Sequence, residues 1–70
     1  MQTEITGTVK WFNEEKGYGF IAGDGRDYFV HYRQIQKDGK KTLQNGSIVV
    51  FTPSKTDKGY TAIGVREKRL

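Results

Sequence analysis

Cysteine is absent from the 70 residues, which excludes a disulfide framework and any thiolate metal site. A single histidine and no evident pair of carboxylates leave little for acid–base, nucleophilic or metal chemistry. Neither an enzyme nor a metal or cofactor is therefore expected. No glycine-rich GxxxxGK[ST] loop is present, which argues against a mechanism driven by a nucleoside triphosphate. Nor does any apolar run approach the roughly 20 residues that a membrane-crossing helix needs. The start, Met1-Gln2-Thr3-Glu4, lacks a basic region followed by an apolar stretch, so no signal peptide is expected. The expectation is a cytoplasmic protein with no membrane contact, and a monomer by default.

Helical periodicity is missing as well, because no apolar stripe at 3.6-residue spacing persists over the roughly 11 residues that would argue for a helix. What is there instead is a series of short β-rich segments separated by glycine-containing turns. Ile5 to Asn13 reads as a first strand and Tyr18 to Ala22 as a second. Asp24-Gly25 is a hairpin turn pair leading into a third strand, Tyr28 to Tyr32, antiparallel to the second. A polar stretch follows from Arg33 to Gln44, then Asn45-Gly46 announces a fourth strand at Ile48 to Phe51. Pro53 is expected to close that strand, since it cannot donate to a ladder, and Lys58-Gly59 opens a fifth over Tyr60 to Arg66. Five short strands in one small domain covering residues 1–70 suggest an all-β barrel, closed or nearly so, with an SH3-like barrel as the competing architecture.

Charge and aromatics point to a partner. The net charge of +4 fits a polyanion, whose counterions lysine and arginine release, though it equally serves solubility. Within "KGYGFIAGDGRDYFVHY" (Lys16–Tyr32), strand alternation sets Ile21 and Val30 towards the core and Tyr18, Phe20, Phe29 and His31 together on the outside. The opposite register would bury Lys16 and His31 without evident partners. Gly17 and Gly19 then allow close backbone approach on the crowded inner side. Rings beside lysines can stack on unpaired nucleobases while the cations hold phosphates. Lys10 and Trp11 alternate in face, so both serve one site only if the first strand bends or bulges. Phe12 is assigned to the core.

At these residues a resemblance enters. "GTVKWFNEEKGYGFI" (Gly7–Ile21) and "DYFVHY" (Asp27–Tyr32) closely resemble the bacterial cold-shock proteins and their eukaryotic cold-shock domains, with Lys16–Ile21 and Phe29–His31 similar to the family's two RNA-binding motifs. The resemblance implies a five-stranded antiparallel barrel of the oligonucleotide-binding (OB-fold) type that binds single-stranded RNA and DNA and acts as an RNA chaperone without ATP. By position it implies binding roles for Lys10, Trp11, Lys16, Tyr18, Phe20, Phe29, His31 and Tyr32, with Asn13 and Asp27 reaching base edges. The chain departs from the pattern in several places. Tyr28 stands where a small aliphatic residue is usual, and its ring must be housed inside. Lys40 replaces an aromatic in the long loop and implies a phosphate contact there, while Lys58 and Tyr60 stand at the rim, where Tyr60 can restore a ring. A protein-interaction barrel docking a peptide on the same aromatics is the alternative.

Overall fold

The computed structural model describes residues 3–36 and 42–68. Five strands run β1 (Ile5–Asn13), β2 (Tyr18–Gly23), β3 (Arg26–His31), β4 (Ile48–Thr56) and β5 (Gly59–Glu67), with one 3-10 turn at Tyr32–Gln34. They close into a barrel in the order β1-β2-β3-β5-β4. Four of the pairings are antiparallel. The pairing that brings β3 to β5 is parallel, through Phe29 and Thr61. Closure pairs most of the strand edges among the described residues, leaving β4 beyond Phe51 with β5 alone beside it.

Local chemistry explains most of the boundaries. Between β2 and β3 the chain reverses in two residues, Asp24 and Gly25, both at positive φ (52° and 75°) as a tight hairpin requires. That fixes the register Gly23↔Arg26 through Tyr18↔His31, which sets Phe20 directly opposite Phe29. Lys16 and Gly17 lie in the turn ahead of β2. Gly19 is buried where β2 crosses β1: a Cβ on it would sit 2.2 Å from the Trp11 carbonyl oxygen and 2.7 Å from the Phe12 Cα. Only glycine fits there.

β2, β3 and β5 extend one or two residues beyond the expected spans, to Gly23, back to Arg26, and over Gly59–Glu67. Two strand ends differ for reasons of their own. Pro53 does not end β4, which continues to Thr56. The reason is that β1 pairs with β4 only at Ile48–Phe51, so beyond Phe51 β4 has β5 alone as neighbour and one side free of a ladder partner. A proline is tolerated on such an edge. Tyr32 is not the last residue of β3 but the first of the 3-10 turn.

The core holds Val9, Ile21, Tyr28, Val30, Ile35, Leu43, Val49, Phe51, Ala62 and Val65, with Ile5, Phe12 and Tyr60 packed against it. Ile21 and Val30 are fully buried, which is the register that alternation indicated. Tyr28 points inward and is housed edge-on between Phe51 and Tyr60, with ring centroids 4.9 and 5.9 Å away. Among the described residues no buried side-chain nitrogen or oxygen lacks a partner.

Candidate nucleic-acid interface

β1 supplies Lys10 and Trp11 to one face by breaking its own alternation. Its register against β2 shifts between Val9↔Ile21 and Trp11↔Phe20, so one extra residue is accommodated at Lys10. Such a bulge turns two successive side chains to the same side. Val9 stays buried inside, while the Trp11 ring lies outside against Phe20 at 5.5 Å and Tyr18 at 5.8 Å. The Lys10 ammonium meets the Asp27 carboxylate of β3 at 3.1 Å on the same face.

β2 and β3 complete the surface. Tyr18 and Phe29 lie 5.8 Å apart, as do Phe20 and Phe29, so Trp11, Tyr18, Phe20 and Phe29 form a closed circuit of four rings. His31 stands opposite Tyr18 in the ladder and carries the array further. Tyr32, released from the strand, stacks on His31 at 4.6 Å and 38°. The expected disagreement of Tyr32 with strand alternation is resolved by the 3-10 turn, which swings its ring outward. Trp11 and Tyr32 are 39% and 40% exposed, and the four rings between them are half-buried. Each ring is packed against a neighbour yet keeps part of its surface exposed, which suits contact with a flat ligand.

Polar groups hold this array in place and offer donors. His31 Nδ1 accepts the Arg33 backbone N–H at 3.3 Å, leaving Nε2 as the protonated nitrogen of the neutral ring. The Asn13 side-chain oxygen accepts the Lys16 N–H at 3.0 Å, which sets the turn that presents Lys16 beside Tyr18. Its amide N–H groups are uncommitted among the described residues. The Lys10–Asp27 pair is half-exposed and contributes little to stability, about 0–1 kcal/mol, so a phosphate can replace the carboxylate at small cost.

Beside Phe20 and Phe29 the surface dips into a pocket of about 560 Å³, lined also by Asp27, Thr56, Lys58, Gly59, Tyr60 and Thr61. Lys58 and Tyr60 were expected at the rim, and both line it. Thr56, Gly59 and Thr61 had no signal in the sequence, because the parallel pairing of β5 with β3 that brings them here leaves no local pattern. Lys40 lies outside the described residues. Among the described residues no group of three or more His, Cys, Asp or Glu side chains could hold a metal ion.

Comparison with known proteins agrees with this geometry. The sequence pattern described as the 'Cold-shock' DNA-binding domain matches residues 5–68. Cold shock protein 1 of Lactiplantibacillus plantarum is 57% identical over 60 residues, 84% of this chain and 91% of that protein. Cold shock-like protein CspG of Shewanella violacea is 52% identical over 67 residues, 93% of this chain and 96% of its own length. Among solved structures, one described as "drosophila Unr CSD456" superposes with a TM-score of 0.79 at 17% identity. That match covers 96% of this chain and 27% of the longer one, and it supports the fold.

Proposed function

This chain belongs to the 'cold-shock' DNA-binding domain family, and on that premise we propose that it binds single-stranded RNA and DNA and acts as an ATP-independent RNA chaperone. Unpaired bases stack on Trp11, Tyr18, Phe20, Phe29, His31 and Tyr32, while Lys10, Lys16 and Lys58 take the phosphates. Asn13 and Asp27 hydrogen-bond base edges, Asp27 once Lys10 has turned to a phosphate. Tyr60 forms the far wall of the pocket beside Phe29. Lys40 adds a phosphate contact from the long loop.

The observation that carries this reading is the ring array itself. Four aromatic side chains, each 5.5–5.8 Å from two of the others, line an outer surface of a domain this small, although each would stabilise a core. A ligand with flat apolar faces recovers that area, and every nucleobase has such faces while paired bases hide them. Cations at the margins fit phosphates. Binding energy alone then holds strands open, and no hydrolysis is required. We further read the chain as a single non-enzymatic domain, monomeric and cytoplasmic. Peptide docking on the same face has no specific observation in its favour.

A hairpin RNA labelled with a fluorophore and quencher at its ends tests the chaperone reading. The protein is expected to open the hairpin without ATP and without cutting it. A Phe20→Ala/Phe29→Ala variant is expected to lose this effect at unchanged circular dichroism. Opening that requires ATP, or cleavage of the strand, contradicts the reading.

A further inference from the structure

Tyr60 lines the pocket and also gathers two cations that the stacking face does not use. The Arg26 guanidinium carbon lies 4.3 Å from the centre of the Tyr60 ring, and the Lys55 ammonium 5.8 Å from it. These residues come from separate parts of the barrel. Arg26 opens β3 directly after the Asp24-Gly25 turn, whereas Lys55 stands opposite Tyr60 in the β4–β5 ladder. Their positions over one ring put the two charges within about 10 Å of each other, no more than the screening length at ~0.1 M salt. Among the described residues neither is in a salt bridge, unlike Lys10, which pairs with Asp27, and Arg66, which pairs with Glu4.

Two like charges held close and outside any salt bridge among the described residues are a feature an anion relieves. The ring explains how they are held: its electron-rich face attracts both cations. A guanidinium over a ring keeps its in-plane N–H donors free, and those donors fit a phosphate in a bidentate manner. The cluster adjoins the end of the aromatic array, because Tyr60, Phe20 and Phe29 line one pocket.

We propose that Arg26 and Lys55, gathered over Tyr60, form a phosphate-binding extension of the interface that holds the backbone of a single strand as it leaves the pocket. This rests on the single-strand reading above and lengthens the track beyond the rings. Short strands that occupy only the aromatic face do not reach it. Longer strands do.

The test compares oligothymidylates of about four and about ten nucleotides on wild type, Lys55→Gln and Arg26→Gln/Lys55→Gln. Thermal unfolding serves as the check that each variant is folded. For the longer strand the double variant is expected to lose affinity roughly tenfold or more at ~50 mM salt, and the slope of log K against log salt to flatten by about 1.4. The single variant, which leaves Arg26 on the ring, is expected to flatten it by about half as much. Affinity for the short strand is expected to stay unchanged. No loss on the longer strand, or an equal loss on both, overturns the proposal. Failure of wild type to bind either strand overturns the single-strand reading and this extension with it. Normal wild-type binding with unaffected variants overturns the extension alone.

Discussion

Gly19 carries more of the interface than its lack of a side chain suggests. Its backbone runs so close to β1 that a methyl group would collide with the Trp11 carbonyl oxygen at 2.2 Å. Gly19→Ala must therefore push β1 away from β2 and separate Trp11 from Phe20. Overpacking typically costs about 1–3 kcal/mol, and backbone gives way less readily than a side chain, so the upper end or beyond is expected in urea unfolding. Phe20→Ala and Phe29→Ala are expected to act differently. Each removes a stacking surface worth about 1–3 kcal/mol per base, which fluorescence titration with an oligonucleotide reads as weaker binding at unchanged fold. Lys16→Gln is expected to alter mainly the salt dependence, flattening the slope by about 0.7 for one phosphate on a single strand. At this scale the sequence was largely legible: alternation placed Ile21 and Val30 inside and Tyr18, Phe20, Phe29 and His31 outside. Tyr32 was legible only through motif resemblance, because its ring leaves the strand in a turn that alternation does not describe.

Two elements convert the strand pattern into a continuous surface. The bulge at Lys10 lets β1 bury Val9 and still present Lys10 and Trp11 on one face. Its need was readable, since the two residues otherwise point apart, but nothing in the local sequence marks its position. The Asp24-Gly25 hairpin sets Phe20 opposite Phe29. Gly25 sits at φ 75° with open space around a would-be Cβ, so Gly25→Ala isolates the backbone cost. A loss of about 1–2 kcal/mol in unfolding is expected, with oligonucleotide affinity of the folded protein retained. Loss of affinity beyond the loss of folded protein contradicts that account. β4 shows where local reading stops. Pro53 looks like a terminator in one dimension, yet the strand has one unpaired side there, because β1 begins at Ile5, opposite Phe51, and does not reach further along β4. The pocket is illegible for a similar reason, because it depends on β5 meeting β3 in parallel across the barrel.

For the whole molecule, size decides the balance. A 70-residue chain with this small a core supplies only about 3–5 kcal/mol of stability, so withholding four rings from its interior is a real sacrifice. Binding should recover it. At a ligand concentration about 100 times Kd the gain is about 2.7 kcal/mol, which in a domain of this size raises the melting temperature by roughly 10–20 °C. A single strand is expected to produce that shift, and a duplex of the same sequence is not. The net charge of +4 adds a salt-dependent component, separable from stacking because stacking survives high salt and phosphate contacts weaken. Trp11 offers the direct readout, being the sole tryptophan and lying partly exposed against Phe20 and Tyr18. The decisive measurement is quenching of its fluorescence by an oligothymidylate and by the corresponding duplex, each at low and high salt. Strong quenching by the single strand, weakening steeply with salt, with little effect of the duplex, is the predicted result. No quenching by the single strand, or equal binding of the duplex, contradicts base stacking as what this face does.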